Sequence, residues 1–282
     1  MNDTITRIGG SLIQHGPSND RVYLMKLAPD KAETVIPAIE VLADVHGYSK
    51  LFAKVPDAAK DQFSKAGYRV EASIPGMYGG TEKGWFLARY PDPVRADPGD
   101  AAAAIRDVRR VATETADPKP DCLLPDGYRI TEATPDDAPA LAALYREVFA
   151  SYPFPIYDPA YLRETMDTDV RYFLIRDGKT VVAASSAEVD PVGRNAEMTD
   201  FATHPDARGR GFCPLLLRHM EEEMRHTGIC TVYTIARATS YPITITFARA
   251  GYRFGGTLIN NTQICGDFES MNVWYRSLTD LS

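Results

Sequence analysis

Residues Glu197 to Leu217 read EMTDFATHPDARGRGFCPLLL, and this stretch decides the fold. The part over 196–203, AEMTDFAT, has the composition of a strand. His204-Pro205-Asp206 turns the chain. Arg208-Gly209-Arg210-Gly211 then leads into a helix that carries Leu215, Leu216, Met220 and Met224 and stops at Gly228. Glycines let the backbone turn tightly and bring successive N–H groups around an anion. The helix start adds the positive end of its dipole. Arg208 and Arg210 add charge and fork-shaped donors for phosphate oxygens. The segment therefore reads as a pyrophosphate cradle, with a solvated Arg-Gly turn as the plainer alternative. It is not a Walker A loop, since no Gly-Lys-Ser/Thr follows, and it lacks the third glycine of G-x-G-x-x-G.

Working outward, the segment 116–127, ADPKPDCLLPDG, holds three prolines and a terminal glycine and cannot continue a helix or a central strand. It divides a first domain, 1–115, from a second, 128–282. In the first domain, strands are expected at 21–27, 51–55, 68–74 and 85–90. A helix is expected from an Asp30-Lys31-Ala32-Glu33 capping signal to Gly47, kinked or delayed by Pro37, and another from Asp57 to Ala66. An alanine-rich helix capped by Asp100 ends the domain or bridges it to the next. In the second, a strand begins at Tyr128, a helix starts at Thr134-Pro135, and SYPFPIYDPAYL (151–162) is a Pro-broken aromatic loop. Strands flank Asp177-Gly178, and a strand at 230–236, a helix over 241–250 and two final strands close the chain. The fold class is thus α/β with a mixed sheet and two unequal domains.

Phe63-Ser64-Lys65-Ala66-Gly67-Tyr68-Arg69-Val70 recurs as Phe247-Ala248-Arg249-Ala250-Gly251-Tyr252-Arg253-Phe254, each after strand–helix–strand and before a Trp-led strand. Either the first domain is a truncated copy of the second, or helix–Gly–aromatic–strand is simply a common junction. If it is a copy, its phosphate-loop counterpart, Ala28-Pro29-Asp30-Lys31, has no glycine and should bind no such ligand. The domain should instead pack on domain two or a second subunit and help close the site.

The chain has 282 residues, 44% hydrophobic and 24% charged, a globular composition. Its 31 Lys+Arg against 38 Asp+Glu leave a net charge of −7, which disfavours nucleic acid and anionic membranes as partners. No apolar run is long enough to span a bilayer, and Met1-Asn2-Asp3-Thr4 is no signal segment. Cys122, Cys213, Cys230 and Cys265 are far apart, so a disulfide framework and a zinc site are not expected and a reducing cytoplasm fits. The histidines show no metal-ligand pairing, and G-x-S-x-G of the hydrolases is absent.

In its order of strand, Pro turn, R-x-x-G-x-x, helix, strand, A-G-Y helix and two strands, Tyr128–Arg276 resembles the GCN5-related N-acetyltransferase (GNAT) superfamily. The acyl-CoA signature Q/R-x-x-G-x-G/A stands here as Arg208-Gly209-Arg210-Gly211-Phe212-Cys213, departing at Cys213. The phrases NDRVYLMKL, GYSKLFAKVP, YPFPIYDP, LINN and MNVWY extend the likeness over nearly the whole chain. There it resembles the bacterial and archaeal β-lysine N-acetyltransferases, which acetylate the 6-amino group of β-lysine to make a compatible solute.

The resemblance implies acetyl-CoA as co-substrate, no metal, and direct attack by the amine in a ternary complex. It places Phe201, Ala202, Thr203, Arg208, Gly209, Arg210, Gly211, Phe212, Cys213 and Ser240 at the cofactor. A lysine-type amine has a pKa of about 10.4, so a base is needed at pH 7. Glu197 matches the base position, and Asp200 is the second candidate. Strict alternation puts Glu197, Thr199 and Phe201 on one face and Asp200 on the other, unless the strand bulges. The tyrosine that often protonates the leaving thiolate is replaced by Phe247, leaving Tyr241 or Tyr233 as substitutes, or no acid at all, since CoA thiolate is a tolerable leaving group. Tyr152, Phe154, Tyr157 and Tyr161 shape the acceptor pocket or merely anchor the loop. Asn260, Asn261 and Asn272 are candidate polar contacts there, and Arg237 is a candidate carboxylate clamp. Rival readings are an acetyltransferase of another small amine (polyamine, ornithine or aminoglycoside) and a non-catalytic acyl-CoA sensor. The expected partners are the small amine and, as one arrangement, a second copy in a homodimer.

Overall fold

Alternating runs of β-branched and aromatic residues pair edge to edge into one mixed sheet of thirteen strands, in a computed structural model that describes residues 3–117 and 123–279. The centre of the 116–127 linker and Cys122 lie outside the described residues. The N-terminal part runs β1 (Thr4–Ile8), β2 (Ser11–Gly16), β3 (Arg21–Lys26), α1 (Ala32–His46), β4 (Lys50–Pro56), α2 (Asp57–Lys65), β5 (Arg69–Tyr78), β6 (Glu82–Arg89) and α3 (Ala101–Glu114). The C-terminal part runs β7 (Tyr128–Glu132), α4 (Ala138–Val148), α5 (Pro159–Met166), β8 (Val170–Asp177), β9 (Thr180–Asp190) and β10 (Asn195–Thr203). It continues with α6 (Phe212–His226), β11 (Thr231–Arg237), α7 (Tyr241–Arg249), β12 (Arg253–Ile264) and β13 (Asp267–Ser277).

The sheet order β1-β2-β3-β4-β6-β5-β12-β13-β11-β10-β9-β8-β7 is nearly a palindrome. β3 and β4 are parallel across α1, as β10 and β11 are across α6. β6 inserts between β4 and β5 as β13 does between β11 and β12. The register matches to the residue: Val70↔Leu87 then Ala72↔Phe86 with a bulge between, against Phe254↔Trp274 then Gly256↔Val273 with the same bulge. The two copies meet where Gly256 pairs Ala72, positions equivalent to each other, so a local two-fold axis passes between them. The β1–β2 hairpin likewise takes the place of β8–β9, so the repeated unit is longer than the truncated copy expected from sequence. Among the described residues, β7, α4 and α5 have no N-terminal counterpart. The two tryptophans are not equivalent: Trp85 matches Asn272, and Trp274 matches Leu87.

Helices α1 and α2 cover one face of the first half through Val35, Ile36, Ile39 and Phe63. α6 and α7 cover the matching face of the second through Leu215, Leu216, Met220 and Phe247. On the other face the curved sheet closes on itself, and Tyr23, Phe52 and Phe86 pack against Tyr233, Leu258 and Val273. α4 and α5 cover the rest of that face against Tyr172, Leu174 and Ala184. The first half therefore packs on the second within one chain.

The seam is polar as well as apolar. Lys50, fully buried, donates to Glu71 at 3.0 Å and to the Ile259 carbonyl at 2.7 Å. Burial pulls its ammonium down to about 7, against the pull of Glu71. Arg95 donates to the Asn260 carbonyl at 2.8 Å, and the Asn19 side chain accepts from the Gln263 N–H at 2.9 Å.

Several local expectations are corrected. β1 and β2 were not foreseen, because TITRI and SLIQHG mix polar and apolar residues without a strong alternation. The helix at Ala32 begins after Lys31, not from an Asp30 box; Asp30 sits at φ 56, and no side chain caps the helix. Pro37 lies inside that helix without splitting it. The aromatic loop gives way to α5, capped by the Asp158 side chain on the Ala160 N–H at 2.8 Å. Among the described residues no helix is long and apolar enough to cross a membrane.

Candidate active site

Parallel pairing of β10 with β11 stops at Glu197↔Tyr233, although both strands run on, to Thr203 and Arg237. The strands splay there. A wedge of this kind exposes unpaired N–H and C=O groups, which suits an extended, amide-bearing ligand. A cavity of about 260 Å³ lies beside it, lined among others by Phe201, Ala202, Thr203, Arg208, Cys213 and Ser240. At its mouth Gly209 and Gly211 hold φ 78 and 76, left-handed angles that glycine adopts freely. Gly211 is the N-cap of α6 and no side chain caps it, so the first N–H groups of the helix remain for an anion. Arg210 donates to the Tyr128 hydroxyl at 2.5 Å, which holds it at the loop. Phe212 is buried behind the loop. These residues fit a pantetheine arm ending in phosphates. Arg208→Ala is expected to raise the KM for acetyl-CoA about 10-fold, the loss of one charge-assisted contact, with kcat little changed in steady-state assays.

The β10 strand bulges between Thr199 and Ala202, and Asp200 sits at φ 54. The bulge reverses the alternation. Phe201 turns to the α6–α7 side, 5.6 Å from the Phe247 ring, while Asp200 joins Glu197 on the α4–α5 side. There Asp200 accepts from Ser186 Oγ at 2.6 Å and from the Tyr152 hydroxyl. Its carboxyl is raised by burial against the pull of these donors. The departure from strict alternation thus places both candidate carboxylates on one face.

A third carboxylate joins them. Glu188 of β9 stands directly opposite Glu197 in the ladder. Burial raises Glu188 to about 8, with Glu197 and Asp200 adding repulsion, and raises Glu197 to about 7 against the pull of Lys54 and Tyr233. Two like charges this close hold a proton between them near neutral pH. Sequence reasoning missed Glu188. Its signal was available only through the β9–β10 register. The folded state binds this proton more tightly than the unfolded chain does, so stability falls as pH rises from about 4.5 towards 8. Glu188→Gln should therefore raise Tm by about 2–4 °C per kcal/mol of relief above pH 8, and not at pH 4.5, in thermal melts.

The first half supplies the opposite wall. Lys54 Nζ donates to the Tyr233 hydroxyl at 3.0 Å. Burial pushes the Tyr23 hydroxyl well above its usual range, and the nearby Glu197 adds to the push. The positions equivalent to Glu188 and Glu197 in the first half are Gln14 and Tyr23, which are neutral. The acid pair therefore occurs once.

Other sequence candidates fall elsewhere. Tyr241 turns away from the cavity, and its exposed hydroxyl donates to Asp107 of α3. Position 241 opens α7, where the side chain points at the bridging helix rather than at the wedge. Asn260 donates to the carbonyls of Arg95 and Asp97, and Asn261 is buried with its carbonyl on Arg21, so both serve the seam. Asn272 accepts from Thr257. Arg237 is paired to Glu269. Tyr157 donates to the Phe149 carbonyl at 2.8 Å, and Phe154 packs in the α4–α5 core, which makes both loop anchors. Tyr152 and Tyr161 do reach the acid cluster. Phe247 is fully buried, and the cavity lining holds no tyrosine. Burial pushes the Cys213 thiol up to about 12. Among the described residues no group of His, Cys, Asp and Glu is arranged to hold a metal ion.

Comparison with known proteins agrees with this geometry. Residues 139–252 match the acetyltransferase (GNAT) family. The chain is 38% identical, over 97% of its length and 98% of the relative's, to the β-lysine N(6)-acetyltransferase of Methanococcus maripaludis. It is 32% identical to the protein of the same name in Methanosarcina mazei, over 87% of this chain and 97% of that one. It is 30% identical to the N-acetyltransferase YodP of Bacillus subtilis, over 95% and 96%.

Proposed function

The chain belongs to the acetyltransferase (GNAT) family, and from that premise we propose that it transfers acetyl from acetyl-CoA to the 6-amino group of β-lysine. The observation that carries the acceptor is the cluster of Glu188, Glu197 and Asp200 on one face beside the cofactor wedge. Three carboxylates around one cleft suit a small acceptor with two ammonium groups. Bound acetyl-CoA supplies the thioester carbonyl carbon that the amine attacks. The N–H groups about Phe201–Thr203 and the start of α6 orient it.

The acceptor nitrogen arrives as an ammonium. Glu197, held near neutrality, takes its proton directly or through one water. The free amine then forms the C–N bond, the C–S bond breaks, and the thiolate leaves with the electron pair. Among the described residues that line the cavity there is no tyrosine, and solvent can supply the proton to that sulfur. Asp200, tied to Tyr152 and Ser186, holds the 151–162 segment over the acceptor. The small-amine reading of the rival kind keeps this chemistry and changes only the acceptor. We place the enzyme in the cytoplasm, where its co-substrate is made.

Thiol release from acetyl-CoA with β-lysine, α-lysine, ornithine and spermidine in parallel tests the proposal. Release with β-lysine far above the rest supports it. Release only with another amine discards the acceptor, and tight CoA binding without release from any amine favours an acyl-CoA sensor.

A further inference from the structure

We propose that Lys54, contributed by the N-terminal half, binds the carboxylate of an amino-acid acceptor and so makes the enzyme select carboxylated amines over plain polyamines. This rests on the small-amine reading above and adds the specificity residue to it.

Lys54 is half-buried on β4, on the same face as Phe52, and its ammonium stands 5.6 Å from the centre of the Tyr233 ring. An ammonium has three donors, and the one partner recorded for it among the described residues is the Tyr233 hydroxyl. The ammonium stands against the aromatic wall of Phe52, Phe86 and Tyr233, and among the described residues no carboxylate is hydrogen-bonded to it, although Glu197 and Glu188 lie near enough to interact with its charge. The equivalent position in the second half is Ile235, so the repeat itself does not require a lysine.

Its place along the cleft is what points to a ligand. Asp200 lies nearest the cofactor wedge, three residues beyond Glu197, where the pairing of β10 with β11 ends. Glu197 and Glu188 come next and both feel Lys54. Lys54 also acts on Tyr78 and Asp190, which lie beyond them, away from the wedge. From the thioester outward the protein thus presents carboxylates and then an ammonium. An amino acid with a terminal amine, a second amine and a carboxylate presents the complementary order, ammonium, ammonium, carboxylate. Glu197 faces the reacting nitrogen, Glu188 the second ammonium, and Lys54 the carboxylate.

Calorimetry on the full chain with CoA bound tests this with matched pairs: β-lysine against 1,4-diaminopentane, α-lysine against 1,5-diaminopentane, and ornithine against 1,4-diaminobutane. The wild type should bind the carboxylated member of at least one pair more tightly. Lys54→Met, which keeps the apolar stem, should weaken that member about 10- to 100-fold more than its decarboxylated partner. Lys54→Arg should restore most of the preference. With turnover, the lost preference appears in the ratio of KM values within a pair, while any change in kcat, from the lost pull of Lys54 on Glu197, is shared by both members. Equal losses for both members of a pair would make Lys54 a support for Glu197 only and overturn the proposal, as would wild-type preference for the plain amines or no binding by any. Preference for ornithine over β-lysine would defeat the β-lysine reading while the ornithine pair still tests Lys54.

Discussion

Glu197→Gln is expected to lower kcat/KM about 100- to 10,000-fold, the usual worth of a positioned base. Wild-type kcat/KM should rise as pH passes through about 7–8, where Glu197 and Glu188 give up their shared proton, because only the ionised carboxylate accepts one. The variant should lose that limb and keep only the slow rise that follows the acceptor's own ammonium towards higher pH. Its affinity for CoA should be unchanged, since Glu197 lies upstream of the wedge. Pre-steady-state thiol release across pH 5.5–9.5 reads all three. Asp200→Asn should behave differently. Both oxygens of Asp200 are engaged by Ser186 and Tyr152, so its loss loosens the acceptor segment and is expected in KM, with the pH limb intact.

Gly256→Ala should destabilise the chain by about 4 kcal/mol or more, and lower Tm by at least about 8 °C at 2–4 °C per kcal/mol. Gly256 sits at φ 146, a region that side chains rarely adopt. An added Cβ would stand 2.2 Å from the Glu71 carbonyl oxygen and 2.5 Å from the Ala72 Cα. Both neighbours are backbone and cannot step aside. Gly256↔Ala72 is also the pair that joins β12 to β5, so the clash falls on the seam itself. Parting the seam moves Lys54 from Tyr233 and strips the wall from the acid cluster, so transfer should fail before the helical signal is lost. Gly251→Ala is the control. Gly251 has a φ of 81 but open space around it, and a cost of only about 1 kcal/mol is expected.

The fold of the second half was legible because its signals are local. Arg208-Gly209-Arg210-Gly211 between a strand and a Leu-rich helix admits few structures, and Gly228 and Gly251 mark helix ends. The repeat was half legible. The segments 63–70 and 247–254 resemble one another because a helix end and a strand start need the same residue types in both halves. The β1–β2 hairpin was hidden because its counterpart role depends on pairing with β3, a contact that no window of sequence displays. The acid site shows the same divide. Glu197 could be placed from its distance to the glycine loop. Glu188, Lys54 and Tyr23 reach it only through the register of other strands and the closure of one half on the other. Tyr241, Asn260 and Asn261 misled for the converse reason: they lie near the expected site along the chain, but the side chains of Tyr241 and Asn260 and the backbone carbonyl of Asn261 serve contacts with the first half.

The most direct test of the account is the site of the label after one turnover. Equimolar enzyme, [13C-acetyl]-CoA and β-lysine would be mixed, and the product examined by NMR. A single acetyl group on N6, formed as free CoA appears and formed about 100- to 10,000-fold more slowly in Glu197→Gln, is the predicted result. Acetyl on the 3-amino group, or an unmodified β-lysine beside intact acetyl-CoA, would contradict it.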